Sequence, residues 1–165
     1  MDVMCEYCGC QAITAIGDLT REHDEVVALI SRIRTRLAED DRDAAAALVR
    51  QVNAILGPHT TVEEEGLFPA MAEDFPEHVA DLVDDHRTIH AVLAEAEGAT
   101  PADPDWPDRL LTALDRLREH ILAEQDGLFP AALATLNADQ WERVDAVRAR
   151  VGQGWPLVGS GQDHR

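Results

Sequence analysis

The chain has 165 residues, of which 45% are hydrophobic and only 4% aromatic. This length suits one domain, and an apolar content made mostly of Ala, Leu and Val favours helices over aromatic-rich strands. With 32 acids against 14 bases the formal charge is −18, which argues against nucleic acid or an anionic membrane face as a partner.

Residues 1–17 read as an irregular head that carries Cys5, Cys8, Gly9, Cys10 and Gly17. Asp18 or Thr20 can cap a first helix, in which Leu19, Val26, Leu29, Ile30, Ile33 and Leu37 recur at helical spacing. Asp40 to Asp43 make a turn. A second helical segment starts near Asp43 and runs toward Met71, interrupted at Gly57-Pro58, where the missing backbone donor predicts a kink or bulge. Phe75-Pro76 opens a third segment that ends near Glu97, and Gly98 to Pro107 is a Pro/Asp-rich loop. Asp108 to Leu136 is the fourth segment, with a late proline at Pro130, and Asn137 caps a short fifth helix ending near Val151. The Gly-rich tail over 152–165 reads as flexible. The expectation is an all-α fold: an antiparallel up-down-up-down four-helix bundle over residues 18–151, with a short extra C-terminal helix.

No run of about 18 apolar residues is present, so no membrane span is expected. The first residues are acidic and lack the apolar stretch of a secretory signal. A cytoplasmic setting follows as the expectation, with reduced cysteines available for metal or redox chemistry. All the bases are Arg, so neither a Schiff-base lysine nor a P-loop lysine exists.

The chain contains an internal repeat. His59 to Ala70 matches His120 to Ala131 through the pattern H-x3-E-x2-GLFPA, at an offset of 61 residues, and an offset of 63 aligns His23 with His86. Residues four apart share one helix face, so His59 with Glu63, His86 with His90, and His120 with Glu124 can each converge on one point. His23 adds a donor from the first helix. A lone His-x3-Glu is usually a surface pair. Five imidazoles packed in one core without a ligand, however, would bury many unpaired polar groups. The pattern therefore points to a metal site.

The arrangement resembles the hemerythrin-like, HHE cation-binding family: His in the first helix, H-x3-E in the second, H-x3-H in the third and H-x3-E in the fourth, over roughly residues 18–135. The resemblance implies a four-helix bundle around two non-haem irons with an oxo or hydroxo bridge. It implies that His86, His90 and His120 bind one iron, that His23 and His59 bind the other, and that Glu63 and Glu124 bridge them. In the repeat, Val27 stands where His90 stands in the other half. Five histidines, two bridging carboxylates and one bridging oxygen fill about eleven of about twelve octahedral positions. The open position then falls on the iron held by His23 and His59, with Val26, Val27 and Ile30 as the apolar neighbours that exclude water. The oxygen-carrying hemerythrins are similar but place an aspartate five residues after the fourth-helix histidine. Here that position is Gln125, which cannot bridge as a carboxylate; Glu124 is the expected bridge in preference to Asp126, about 240° around the helix, and the change counts against reversible oxygen carriage.

Several groups lie outside the set. Glu64, Glu65, Asp84 and Asp85 read as solvated, with one of them available to orient a ligand histidine. The GLFPA segments read as core packing with a helix break, Trp106, Trp141 and Trp155 as packing or loop anchors, and His78 as a surface residue. Cys5, Cys8 and Cys10 fall within six residues. They could hold a further soft metal with Met4, His164 or a carboxylate, act as a peroxide-sensing thiol group, or be an idle reduced tail.

Two functions fit. One is a binding protein for dioxygen, nitric oxide or peroxide at an open iron, in sensing, carriage or iron handling. The alternative is a peroxidase- or catalase-like di-iron oxidoreductase in oxidative-stress defence. A sensing role implies a protein partner or a homodimer to signal through. A ferritin-like carboxylate site is disfavoured because no Glu-x-x-His occurs, and a zinc protease because His-Glu-x-x-His is absent.

Overall fold

A computed structural model describes the backbone of residues 3–152 and the side chains of residues 9–152. The described residues are helical with short connections and no strand. In chain order they form α1 (Val3–Ala38), α2 (Arg42–Thr61), a π turn (Val62–Leu67), α3 (Phe68–Met71), α4 (Pro76–Leu93), a 3-10 turn (Ala94–Ala96), α5 (Trp106–Ala123), a second π turn (Glu124–Leu128), α6 (Phe129–Thr135) and α7 (Ala138–Val151). No described helix is long and apolar enough to cross a membrane.

The irregular head expected over 1–17 is not what forms. α1 begins at Val3 and runs unbroken to Ala38. Its extra turns have a face to bury: Ala12, Ala15 and Leu19 share a core cluster with Trp141 and Val144 of α7. The Gln11 amide also donates to Asp145 at 2.6 Å. Gly17 costs an interior helix about 0.5–1 kcal/mol relative to Ala, and tertiary packing outweighs that. The side chains of Cys5 and Cys8, and the tail over 153–165 with Trp155 and His164, lie outside the described residues. The Cys10 side chain is exposed.

Asp40 takes a left-handed φ of 59° in the turn before α2, a conformation Asp tolerates. Asp41 then caps α2 by accepting from the Ala44 N–H at 3.1 Å. The break expected at Gly57-Pro58 falls elsewhere. Pro58 sits inside α2, which continues to Thr61. The widened turns come just upstream of Pro69 and Pro130, the prolines of the two GLFPA segments. A proline ring clashes with the carbonyl four residues back. Here the preceding N–H groups step back one residue further, from Phe68 to the Glu63 carbonyl and from Phe129 to the Glu124 carbonyl. The helix break predicted for GLFPA is thus a π turn, made twice and starting beside a bridging-candidate glutamate each time.

The core divides into two clusters. One holds Val26, Ile30, Leu56, Ile89, Trp106, Leu114, Leu117 and Ile121. The other holds Leu19, Val62, Phe68, Leu82, Leu128, Phe129, Trp141 and Val144. Each buried Leu, Ile, Val or Phe contributes about 1.5–3 kcal/mol. The seam between the clusters falls at one level of every long helix: between Leu19 and Val26, Leu56 and Val62, Leu82 and Ile89, and Ile121 and Leu128. His23, His59 and His86 lie at that seam, and His120 immediately precedes Ile121. Trp106 and Trp141 are both buried packing residues. α7 is capped at its start by a reciprocal Asn137–Gln140 box and ended by Gly152 at φ 75°. It packs on the first π turn and on α1.

Candidate metal centre

Four imidazoles and two carboxylates meet at the seam, all of them buried. Glu63 lies between two rings, with His59 Nε2 3.1 Å from one oxygen and His86 Nε2 3.1 Å from the other. Glu124 does the same for His23 Nε2 at 3.0 Å and His120 Nε2 at 3.1 Å. The donors fall into two groups that could each hold a metal ion: His23, His59, Glu63 and Glu124, and His86, His120, Glu63 and Glu124. Both carboxylates belong to both groups. Within each group the two rings lie side by side, His23 and His59 at 4.7 Å between centroids and His86 and His120 at 4.6 Å.

The donor atoms fit a metal on a further count. His23 Nε2, His120 Nε2 and all four oxygens of Glu63 and Glu124 are buried with no hydrogen-bond partner. Buried polar atoms are ordinarily satisfied; these six meet ring-to-carboxylate contacts at 3.0–3.1 Å but no hydrogen bond of good geometry, and a pair of cations between them would satisfy all six. Imidazole and carboxylate donors together suit iron or another first-row transition ion.

Each ring is also held from behind. His59 Nδ1 donates to Glu22 at 2.9 Å, His86 Nδ1 to Glu64 at 2.7 Å, His120 Nδ1 to Asp85 at 3.2 Å, and His23 Nδ1 to the Gln125 amide oxygen at 2.8 Å. This fixes Nε2 as the inward donor on all four rings, the orientation expected of metal-ligating histidines. Phe129 stacks on His23 and Phe68 on His86, at 5.5 and 5.6 Å between centroids. The phenylalanines of the two GLFPA segments thus pack directly against two ligand-candidate rings as well as in the core.

Without a metal the centre holds protons. Burial alone drives the His59 imidazolium down, but Glu63, Glu22 and Glu124 outweigh it and lift the ring to about 10. Burial is likewise overcome at His120, which Glu124, Glu63 and Asp85 lift to about 9. His86 is raised against burial by Glu63 and Glu64. Burial pushes the Glu63 carboxyl up, yet His59 and His86 hold it well below the usual carboxylate range.

His90, expected to join His86 and His120, is not brought into either group. Its ring is half-buried and its Nε2 is hydrogen-bonded to Thr60 Oγ1 at 3.2 Å. Burial, reinforced by the neighbouring His86, lowers its affinity for a proton. A cavity of about 10 Å³, room for one water-sized molecule, lies against the four ligand-candidate rings, His90 and Thr60. Its apolar wall is Leu56, Ile89, Leu117 and Ile121. Val26, Val27 and Ile30 belong to the same core cluster as these four residues but do not line the cavity, whose apolar wall comes from α2, α4 and α5.

Of the acids read as solvated, Glu65 and Asp84 are more than half exposed, whereas Glu64 and Asp85 hold ligand-candidate rings. Glu22 carries no signal of its own among the acids of the first helix, and Gln125 reads in the sequence only as a lost bridge. The repeat carries the missing signal. Glu22 and Asp85 both directly precede a histidine and are 63 residues apart; Glu64 and Gln125 both directly follow a bridging-candidate glutamate and are 61 apart. His78 is half-buried beside Gly127 and takes no part in the centre.

The comparisons with known proteins agree with this architecture. The chain matches the family model "Hemerythrin HHE cation binding domain" over residues 14–132. It is 25% identical over 130 residues to a protein of Nostoc sp. (strain PCC 7120 / SAG 25.82 / UTEX 2576) named "DNA nickase", an alignment covering 78% of this chain and 36% of that protein. The chain therefore spans about a third of the length of that relative. No solved structure matches. With the match covering well over half of its length, the chain belongs to the hemerythrin HHE cation-binding domain family.

Proposed function

We propose that the chain binds a pair of iron ions within an antiparallel four-helix bundle and uses them to bind dioxygen or a related small ligand such as nitric oxide or peroxide. His23 and His59 would hold one ion, His86 and His120 the other, and Glu63 and Glu124 would join them. The observation that carries this reading is the sharing of both carboxylates between the two donor groups. A redox-active ion pair would supply electrons to a bound oxidant. The protein's own part is to fix four Nε2 donors through Glu22, Glu64, Asp85 and Gln125, and to keep bulk water out with Leu56, Ile89, Leu117 and Ile121. The cavity beside the rings is small, about 10 Å³, which favours a small ligand over an organic substrate.

The nicking in the relative's name is not carried over. This chain covers 36% of that protein, and its charge of −18 opposes a phosphate backbone. Nicking of supercoiled plasmid by the iron-loaded chain would overturn that part of the proposal.

The test is an optical spectrum of anaerobically iron-loaded protein, taken before dioxygen, after it, and after its removal. A visible charge-transfer band that disappears on degassing supports binding. Irreversible conversion, followed by many turnovers with peroxide, would favour the oxidoreductase. Failure to bind two irons per chain would overturn both.

A further inference from the structure

The family match ends at residue 132, before α7 begins, yet α7 reaches the candidate metal centre. Arg148, on the last turn of α7, grips Glu22 with both terminal nitrogens: Nη1 is 2.9 Å from Oε2 and Nη2 is 2.9 Å from Oε1. Glu22 is fully buried, and its Oε1 also accepts from His59 Nδ1 at 2.9 Å. Arg148 itself is 14% exposed and braced by a second bond, from Nη1 to the Gly152 carbonyl at 3.0 Å.

We propose that Arg148 is a positioning residue for the metal bound by His59, acting through Glu22, and that α7 is thereby a structural part of the metal centre. The inference rests on the metal-binding reading above. A buried carboxylate needs an opposite charge, and a bidentate guanidinium fixes its plane as well as neutralising it. With Glu22 fixed, the His59 ring has one orientation and presents Nε2 toward Glu63.

The placement of α7 supports the same role. The first π turn approaches α7 so closely that a Cβ on Gly66 would lie 3.1 Å from the Val144 Cα. Trp141 and Val144 are buried in that contact. Gln11 and Glu65 tie α7 to α1 and to the same π turn through Asp145 and Arg150. The guanidinium is therefore delivered from a docked helix.

The other half of the centre provides a control of similar chemistry. Asp85 accepts from His120 Nδ1 and pairs with Arg116 Nε at 2.8 Å. That pair is 43% and 22% exposed on Arg116 and Asp85, and α5, not α7, supplies the arginine. Loss of Arg116 should therefore act on the other metal, and less strongly.

Cobalt(II) titrated into the full chain, followed by its visible absorption, reads the number and affinity of the sites. The wild type is expected to take two ions. In Arg148→Met one site should weaken about 10- to 100-fold, the size of effect seen when a partner of a ligating histidine is lost, and the other should not change. Arg148→Lys keeps the charge without the bidentate grip and should restore part of the loss. Histidine NMR signals of the cobalt-loaded protein, assigned with His59→Gln, identify which ring is released. Wild-type affinity at both sites in Arg148→Met would overturn the inference, as would equal weakening of both sites, since a mere prop for the fold would act on both. If Arg148→Met does not fold, Arg148→Lys decides alone: wild-type affinity in that variant would overturn the bidentate role, and selective weakening of the His59 site would support it. A wild-type chain that takes fewer than two ions refutes the metal-binding reading instead.

Discussion

The two GLFPA segments are identical in sequence, but their glycines stand in opposite surroundings. Gly66 is buried under α7, and a Cβ there would meet the Val144 Cα at 3.1 Å, with Val147 Cγ2 and Val144 Cβ at 3.6 and 3.7 Å. Gly127 is exposed, and its Cβ would meet only the His78 ring edge at 4.0 Å. Neither glycine has a positive φ, so alanine strains neither backbone. Carbon atoms pack best at about 3.5–4.0 Å, so at Gly66 the backbone of α7 must retreat by several tenths of an ångström. Overpacking of this kind costs about 1–3 kcal/mol, and the gain in helix propensity returns about 0.8–1.0 kcal/mol. Gly66→Ala should therefore destabilise by about 1 kcal/mol. Gly127→Ala should stabilise by up to about 1 kcal/mol, since only the propensity gain applies. For a chain of this size each kcal/mol moves the midpoint by about 2–4 °C, so the two variants should melt about 4–8 °C apart. Thermal unfolding of the metal-free protein by circular dichroism measures the difference. Equal midpoints, or a more stable Gly66→Ala, would refute the close docking of α7.

Three further outcomes are expected. His59 and His120 carry protons at neutral pH, with values near 10 and 9, so a metal must displace them. Affinity should rise about tenfold per pH unit for each proton released, and competition against a chelator between about pH 6.5 and 8.5 would show a flat profile if the rings were already neutral. In the metal-free protein the raised imidazoles stabilise the fold fully below their ordinary value of 6.5, and that contribution is lost as pH rises through about 9 and 10. The lowered Glu63 stabilises it above its ordinary value of 4.5 and ceases to as pH falls. The midpoint of chelated protein should thus peak between 4.5 and 6.5 and fall toward pH 9, a decline that saturating metal should remove; a chelated protein most stable at pH 9 would contradict the charge assignment. Finally, His90→Gln should still take two cobalt ions because His90 lies outside both donor groups; loss of one ion would return His90 to the ligand set that the family resemblance implied.

The helices, and the six residues brought together in the two donor groups, are legible because each is a matter of spacing. A repeat of H-x3-E at the seam between two apolar stripes needs no tertiary knowledge to recognise. What spacing could not reveal was tertiary. Residues 3–17 carry two glycines and a run of small or polar side chains, which read locally as loop; only the surface offered by α7 makes their helix worthwhile. Pro58 and Pro130 look alike in sequence, yet α2 runs through Pro58 and the widening comes beside Pro69 and Pro130. His90 shares a helix face with His86, but Thr60 competes for its Nε2. Glu22 stands in a stretch of acids, Glu22, Asp24 and Glu25, in which only burial singles it out.

The duplication explains what the two halves share, and its decay explains how they differ. The shared part is the set of donors, His23 with His86, His59 with His120, and Glu63 with Glu124, together with where each ring is held from: His59 and His120 from their own half, by Glu22 and Asp85, and His23 and His86 from the opposite half, by Gln125 and Glu64. The divergent part is the identity of the holders. His86 and His120 both donate to carboxylates, Glu64 and Asp85. Of the other pair, His59 donates to a carboxylate, Glu22, paired with Arg148 much as Asp85 is paired with Arg116, and His23 donates to the neutral amide of Gln125. A carboxylate behind an imidazole makes it a stronger donor than an amide does. The His86–His120 side, with two carboxylates behind its rings, therefore offers the more basic pair of donors, and the His23–His59 side, with one, the less basic. The repeat has also diverged beside the donors: His90 aligns with Val27 and Thr60 with Ile121, so the hydrogen-bonded His90–Thr60 pair has no polar counterpart. Two identical hairpins would have made two identical sites. These substitutions in the surrounding shell make the two donor groups unequal while leaving all six residues in place.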